Sequence, residues 1–220
     1  MPSTLLELFY WPPVSWMALA TASNGVQIEA CEHYQKGSYR NRCHIAGPNG
    51  LQRLSIPLLK GKHQQTPVRE VRIANDQPWQ RAHWRSIRTA YGNAPFFEHY
   101  ADEVSPFFEK NFVYLFDLNL EIIHFLLKKA AWTGQLMLTE QFEKPGRATL
   151  AGPTLDVRGS ISPHSAPEKT LFDPLPYPQV FLERHGFLPD LSALDLLFCL
   201  GKQGLAPTQN SKLKTQNCDA

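Results

Sequence analysis

Leu5-Leu6-Glu7-Leu8-Phe9-Tyr10-Trp11-Pro12-Pro13-Val14-Ser15-Trp16-Met17-Ala18-Leu19-Ala20, followed after Asn24-Gly25 by Val26-Gln27-Ile28-Glu29-Ala30, is the stretch that sets the fold class. Its first six residues are mostly apolar and end at Trp11-Pro12-Pro13, which reads as a short, largely buried strand. Pro13 suits the start of a helix, because the N–H it lacks would find no partner in a first helical turn. That helix runs on through Ala20. Val26 to Ala30 alternates behind an Asn-Gly turn, which predicts a second strand. A strand, a helix and a strand within about 30 residues make the minimal βαβ-like opening of an α/β domain. Ligands of such sheets collect beyond the carboxyl ends of strands. Tyr10-Trp11-Pro12-Pro13 and the segment from His33 to Cys43 are therefore expected to converge on one place.

Working outward, Arg42-Cys43-His44-Ile45-Ala46 and Leu51-Gln52-Arg53-Leu54-Ser55-Ile56 flank Gly47-Pro48-Asn49-Gly50, the signal of a hairpin. The Gln-rich, basic stretch from Lys60 to Pro67 reads as a mobile loop, and Val68 to Ile73 as an edge strand. Trp79 to Tyr91 has helical periodicity, with His83, Ile87 and Tyr91 on one face and Arg81, Arg85 and Arg88 on a neighbouring stripe. A longer helix is expected from about Val113 to Trp132, with Lys128 and Lys129 in its last turn, where the helix dipole favours cations. Leu136 to Thr139 reads as a strand. Lys144 to Pro178 is rich in Gly and Pro and reads as a long loop or a connection across a site. A last helix spans Pro189 to Leu200, with Asp190 and Ser192 competing to cap it, and Gly201 ends it. The expected class is α/β (or α+β). A mixed sheet is opened by the βαβ-like unit and a hairpin, and a mainly helical C-terminal half follows.

At 220 residues, with 43% hydrophobic and 11% aromatic residues, the chain suits one large domain with a real core. Its net charge of +2 hides an uneven distribution. Eleven Lys or Arg lie between His33 and Tyr91, opposed by Glu70 and Asp76 alone. That excess favours an anionic small-molecule partner; a solvated basic face is the blander reading. Cys31, Cys43, Cys199 and Cys218 show neither CxxC nor zinc-ligand spacing and are expected as reduced thiols. The N-terminus has no basic n-region, and no apolar stretch is long enough to span a bilayer. The expectation is a cytoplasmic protein with no membrane span.

The candidate site centres on Glu32-His33-Tyr34-Gln35-Lys36-Gly37-Ser38-Tyr39-Arg40-Asn41-Arg42-Cys43. Arg40, Asn41 and Arg42 offer forked donors for phosphate or carboxylate, although a structural ion pair competes for either arginine. If the segment is a strand, Arg40 and Arg42 share a face that Asn41 does not, so one ligand meets all three only if the strand bends. Lys36 and Lys60 add point charges. His33 is the first candidate for acid or base chemistry, because its ordinary pKa lies near neutrality. His83, sharing a helix with Arg81 and Arg85, is the second, with core packing as its competing role. Tyr10, Tyr34 and Tyr39 are placed to stack on or bond to a base or sugar, and Arg85 to reach the same pocket. A metal site from His33, His44 and His83 lacks supporting carboxylate or cysteine spacing, so no metal is expected, and no cofactor. Walker, GxGxxG, GxSxG and HExxH signatures are absent.

His33 to Arg42 together with Trp79-Gln80-Arg81-Ala82-His83-Trp84-Arg85 resembles the WbqC-like family. Tyr91-Gly92-Asn93-Ala94-Pro95-Phe96-Phe97, and Gln179-Val180-Phe181 leading into Gly186 to Phe198, resemble it as well. The resemblance covers nearly all of residues 5 to 201, and implies one family domain over 1–206; the polar stretch over 207–220 reads by its composition as a disordered tail. It also implies bacterial origin and, for some members, a place in surface-polysaccharide gene clusters.

Two functions follow from these residues. The first is a transferase acting on a nucleotide-activated sugar, with Arg40, Arg42 and Lys36 on the diphosphate, Tyr39 and Asn41 on the sugar or base, and His33 as proton acceptor. The second is a non-catalytic protein that binds nucleic acid or a partner enzyme. The first predicts a concave site where Arg and His converge from separated segments; the second predicts a broad basic surface.

Overall fold

The computed structural model describes residues 3–59, 65–142, 144, 154–164, 172–206 and 211–213. Strand β1 (Ser3–Glu7), helix α1 (Val14–Thr21) and strand β2 (Gly25–Glu29) form the expected opening, with β1 and β2 parallel and Glu7 opposite Glu29. The apolar run outlasts the first strand. Phe9, Tyr10 and Trp11 leave the sheet through a bend in which Trp11 takes a φ of 39°, and all three rings are fully buried.

Strands β3 (Arg42–Gly47) and β4 (Gly50–Ser55) make the expected antiparallel hairpin, Gly47 pairing with Gly50 around Pro48-Asn49. Gly50 closes that turn at a φ of 99°, which costs a glycine little. Helix α2 covers Trp79–Tyr91, the span its periodicity predicts, and α3 (Phe97–Val104) follows it. Helix α4 (Leu115–Lys129) turns Leu118, Ile122, Ile123, Leu126 and the single polar residue Asn119 into the core.

Strand β5 (Gln135–Leu138) joins β2, and β6 (Thr154–Asp156) joins the other side of β1. The main sheet therefore runs β5-β2-β1-β6 with every pair parallel, and the hairpin stands apart from it. Farther on come β7 (Phe172–Pro174), a single-turn α5 (Leu182–His185), α6 (Ala193–Leu200) and β8 (Ser211–Leu213), which pairs with β7. Apart from β8, the tail from 207 onward lies outside the described residues. Helix α1 packs against both β1 and α6, which is why all eight of its residues are buried.

Three local expectations are corrected. Val68 to Ile73 is not a continuous strand. Pro67 starts a 3₁₀ turn at Val68–Glu70, leaving only isolated bridges from Arg72 to Tyr114 and from Ile73 to Leu58. Tyr39–Asn41 is likewise a 3₁₀ turn, entered through Ser38, whose hydroxyl accepts from the Arg40 N–H. The last helix begins at Ala193 under a Ser192 cap, while Asp190 caps α1 instead: its carboxylate accepts the Ser15 N–H at 2.8 Å and the Ser15 hydroxyl at 3.0 Å. Both Asp190 and Ser192 are cap residues, but of different helices.

Candidate functional site

Because the main sheet is parallel, the ends of its strands lie along one edge, and that edge carries a buried lattice of acids and arginines. Arg40 is 1% exposed. It meets Glu32 through two parallel bonds, Nε to Oε1 at 2.7 Å and Nη2 to Oε2 at 2.5 Å, and reaches Glu7 Oε1 at 3.4 Å. The Gly159 N–H also donates to Glu7, at 2.9 Å. Beside this group Glu29 accepts from Thr139 Oγ1 and the Cys31 N–H, each at 2.8 Å, and from Arg158. Arg158 in turn holds Asp156 with Nη2 to Oδ2 at 2.7 Å and Nε to Oδ1 at 3.0 Å.

The titration behaviour follows from burial and charge. Burial pushes the Glu7 carboxyl up, more than Arg40 pulls it down. Burial also raises Asp156, but the hydrogen bonds from Arg158 outweigh it and leave the group below the usual carboxylate range. Burial alone would lower Arg40, and its bonds to Glu32 and Glu7 reverse the direction. The lattice clamps β1, β2 and β6 to the segments that follow them.

Arg42 has a different environment. It begins β3 and shares a face with His44, while Cys43 and Ile45 point into the core. Arg53 lies directly across the hairpin from His44. No ion pair to Arg42 exists among the described residues, and its buried Nε has no hydrogen-bond acceptor there. The His44 ring stands edge-on to Tyr39, with Nδ1 3.5 Å from the Tyr39 hydroxyl. Burial first, then Arg42, Arg53 and His164, hold the His44 pKa below its ordinary value. Burial raises Tyr39 and Tyr34; Asp190 adds to the first, whereas Arg42 and Arg40 offset the second. Gly37, at a φ of 85°, lets the loop turn so close to His164 that a Cβ placed there would lie 3.7 Å from its Nε2. Tyr34, Tyr39, Arg42, His44, His164 and Asp190 thus come together from three separate segments into one rim, with Arg53 across the hairpin.

The remaining candidates are placed as follows. His83 is buried, its Nε2 donates to the Ser55 carbonyl at 3.2 Å, and its Nδ1 therefore accepts the Tyr10 hydroxyl at 2.9 Å. Burial lowers its pKa to about 4, so it is a neutral ring bridging α2, β4 and the loop after β1. Tyr10 is fully buried in that bridge. Asn41 ties the hairpin base by donating to the Ile56 carbonyl at 2.9 Å, and Asn119 of α4 holds the neighbouring turn through the Arg40 carbonyl at 2.7 Å. His33 and Lys36 are exposed near the rim in sequence, and Arg85 is exposed on α2. Lys60 lies outside the described residues. Of the two candidate arginines, Arg40 is consumed by the lattice and Arg42 has no ion pair among the described residues.

The sequence reading missed Glu7, Glu29, Glu32, Asp156 and Arg158 as a network, and His44 and His164 on the rim. His44 had a usable signal, its i, i+2 spacing from Arg42 on a predicted strand. His164 had none, since it sits in a segment without periodicity.

The fold and rim define an α/β protein with a parallel sheet, an appended hairpin, and a cluster of basic and aromatic side chains where the hairpin begins. The chain belongs to the WbqC-like protein family, whose model matches residues 9–157. It is also similar to the uncharacterized protein Rv1507c of Mycobacterium tuberculosis, 28% identical over 190 residues, covering 77% of this chain and 81% of that protein. No solved structure matches the chain. No helix among the described residues is long and apolar enough to cross a membrane.

Proposed function

We propose that the protein is a transferase acting on a nucleotide-activated sugar of surface-glycan metabolism, with the donor's phosphates bound at the cationic rim. The observation that carries this reading is the buried Nε of Arg42, which has no acceptor among the described residues and lies beside two further basic groups. A buried donor without a partner costs about 1–3 kcal/mol, and a phosphate oxygen supplies what is missing. Lys36 and His164 extend the same field. Tyr34 and Tyr39 are buried behind the rim and support it from within. His44, whose pKa is held low by burial first and by its basic neighbours second, is the better placed proton acceptor, and His33 on the exposed side is the alternative. In the transfer step the attacking hydroxyl or amine gives its proton to the histidine as it bonds to the transferred group. The leaving group departs with the bonding electrons.

The test is a thermal-shift screen against nucleotides, nucleotide sugars, acyl donors and short oligonucleotides, since a ligand of the native state raises the Tm by mass action. The expected result is a shift with a nucleotide sugar that disappears in Arg42→Ala. A second reading, nucleic-acid binding, draws on Arg81, Arg85 and Arg88, which are exposed along α2, a helix that contains no acidic residue. A shift seen only with oligonucleotides, fading steeply as salt rises and lost in the Arg85→Ala/Arg88→Ala pair, would replace the first reading with the second.

A further inference from the structure

The outer face of the main sheet carries a groove of about 350 Å³ near the carboxyl ends of β2 and β5. Leu5, Gln27 and Met137 occupy one register row across β1, β2 and β5 and therefore share its floor. Glu29, Thr139, Glu140 and Gln141 form the wall. Phe142 follows Gln141 directly, with the Arg158 guanidinium 5.6 Å from its ring centroid and 52% of its surface exposed.

The lining decides what fits. The cation nearest the groove, Arg158, is engaged with Glu29 and Asp156 through all three of its nitrogens. Glu29 spends both oxygens on Arg158, Thr139 and Cys31. None of the described residues lining the groove is a cation, so an anionic ligand would meet Glu140 unbalanced and phosphates and carboxylates are disfavoured. A purely apolar ligand would bury the amides of Gln27 and Gln141 without partners. What remains is a neutral polyhydroxylated ring, which presents C–H faces to Met137 and to the exposed Phe142 just beyond the lining, and hydroxyls to planar amides and a carboxylate.

We propose that this groove binds a neutral saccharide, with Phe142 as the stacking surface and Gln27, Gln141 and Glu140 as hydroxyl partners. Such a site stands apart from the rim around Arg42 and needs no phosphate, so it holds or fails independently of the donor reading.

The experiment is saturation-transfer difference NMR on the full chain with glucose, galactose, N-acetylglucosamine, maltose and cellobiose, with glucuronate as the anionic counterpart. Signal from at least one neutral sugar is expected, about tenfold weaker binding in Phe142→Ala, and a severalfold loss in Gln27→Ala. Arg42→Ala should leave this binding unchanged. Absence of signal from every neutral sugar, equal or stronger binding of glucuronate, or indifference to both groove substitutions would each overturn the proposal.

Discussion

Arg40 and Arg42 are the same side chain two residues apart, yet one is locked into the scaffold by two carboxylates and the other has no ion pair among the described residues. Arg40 leaves the 3₁₀ turn toward the sheet edge and is closed in by Glu32 and Glu7. Arg42 leaves the first position of β3 toward a surface where its neighbours are basic. The pair teaches that a run of positive charge has to be divided by partner before it is assigned a role. Matched and buried charge fixes geometry, while unmatched charge at a rim is what an anion can use.

The largest expected effect tests the matched half. Arg40→Met leaves Glu7 and Glu32 buried without a cation and should cost about 3–5 kcal/mol in chemical denaturation. Adding Glu7→Gln and Glu32→Gln should recover part of that loss. A cost below about 1 kcal/mol would erase the distinction between the two arginines.

Asp195 offers a sharper contrast, because it is a buried carboxyl with neutral donors alone: its Oδ2 accepts from Tyr177 at 2.7 Å and Gln179 at 3.3 Å, and its buried Oδ1 has no hydrogen-bond partner among the described residues. Burial, partly offset by hydrogen bonds from Tyr177, Tyr91 and Gln179, raises its pKa to about 6 from the ordinary 3.8. A raised carboxyl pKa means that the native state keeps its proton longer than the unfolded chain. Its contribution is therefore full below about pH 4 and is lost as pH rises to about 6, a change of roughly 3 kcal/mol. Asp156, held low by Arg158 against burial, works in the opposite sense and contributes less as pH falls. Asp195→Asn should flatten the stability profile between about pH 4 and 6; an unchanged slope there would show that Asp195 is not the group responsible.

Smaller effects belong to the rim. Asp190→Ala removes the cap of α1 and should lower stability by about 1 kcal/mol. Arg42→Ala removes the unpartnered buried Nε and should therefore not lower stability, while abolishing any ligand-induced thermal shift. It should also let the His44 pKa rise, which an NMR titration reads directly. A large stability loss in Arg42→Ala would mean that this arginine too is structural.

Much of the scaffold could be read from local signals. Pro13, the alternation from Val26, the Gly47 to Gly50 turn and the periodicity of α2 each state their structure within a few residues. The strand Thr154–Asp156 could not be read, because three residues among Gly and Pro carry no period. The site was harder still. The Glu7 to Arg40 contact spans 33 positions and the Glu29 to Arg158 contact 129, and nothing local in either residue announces its partner. In the sequence His83 stands out by sharing a helix with Arg81 and Arg85, but burial and two hydrogen bonds decide what it does.

By itself, then, the sequence determined the βαβ opening, the hairpin register, the long helices and the segment, His33 to Arg42, around which the rim is built. These follow from periodicity, turn residues and composition, all of which act over short distances along the chain. Only the tertiary structure decided which arginine is neutralised, which aspartate caps which helix, and which histidine meets Tyr39. Those outcomes depend on desolvation and on charges contributed by distant segments, and both arise only when the sheet edge, the hairpin and the segment from Val157 to His164 are packed together.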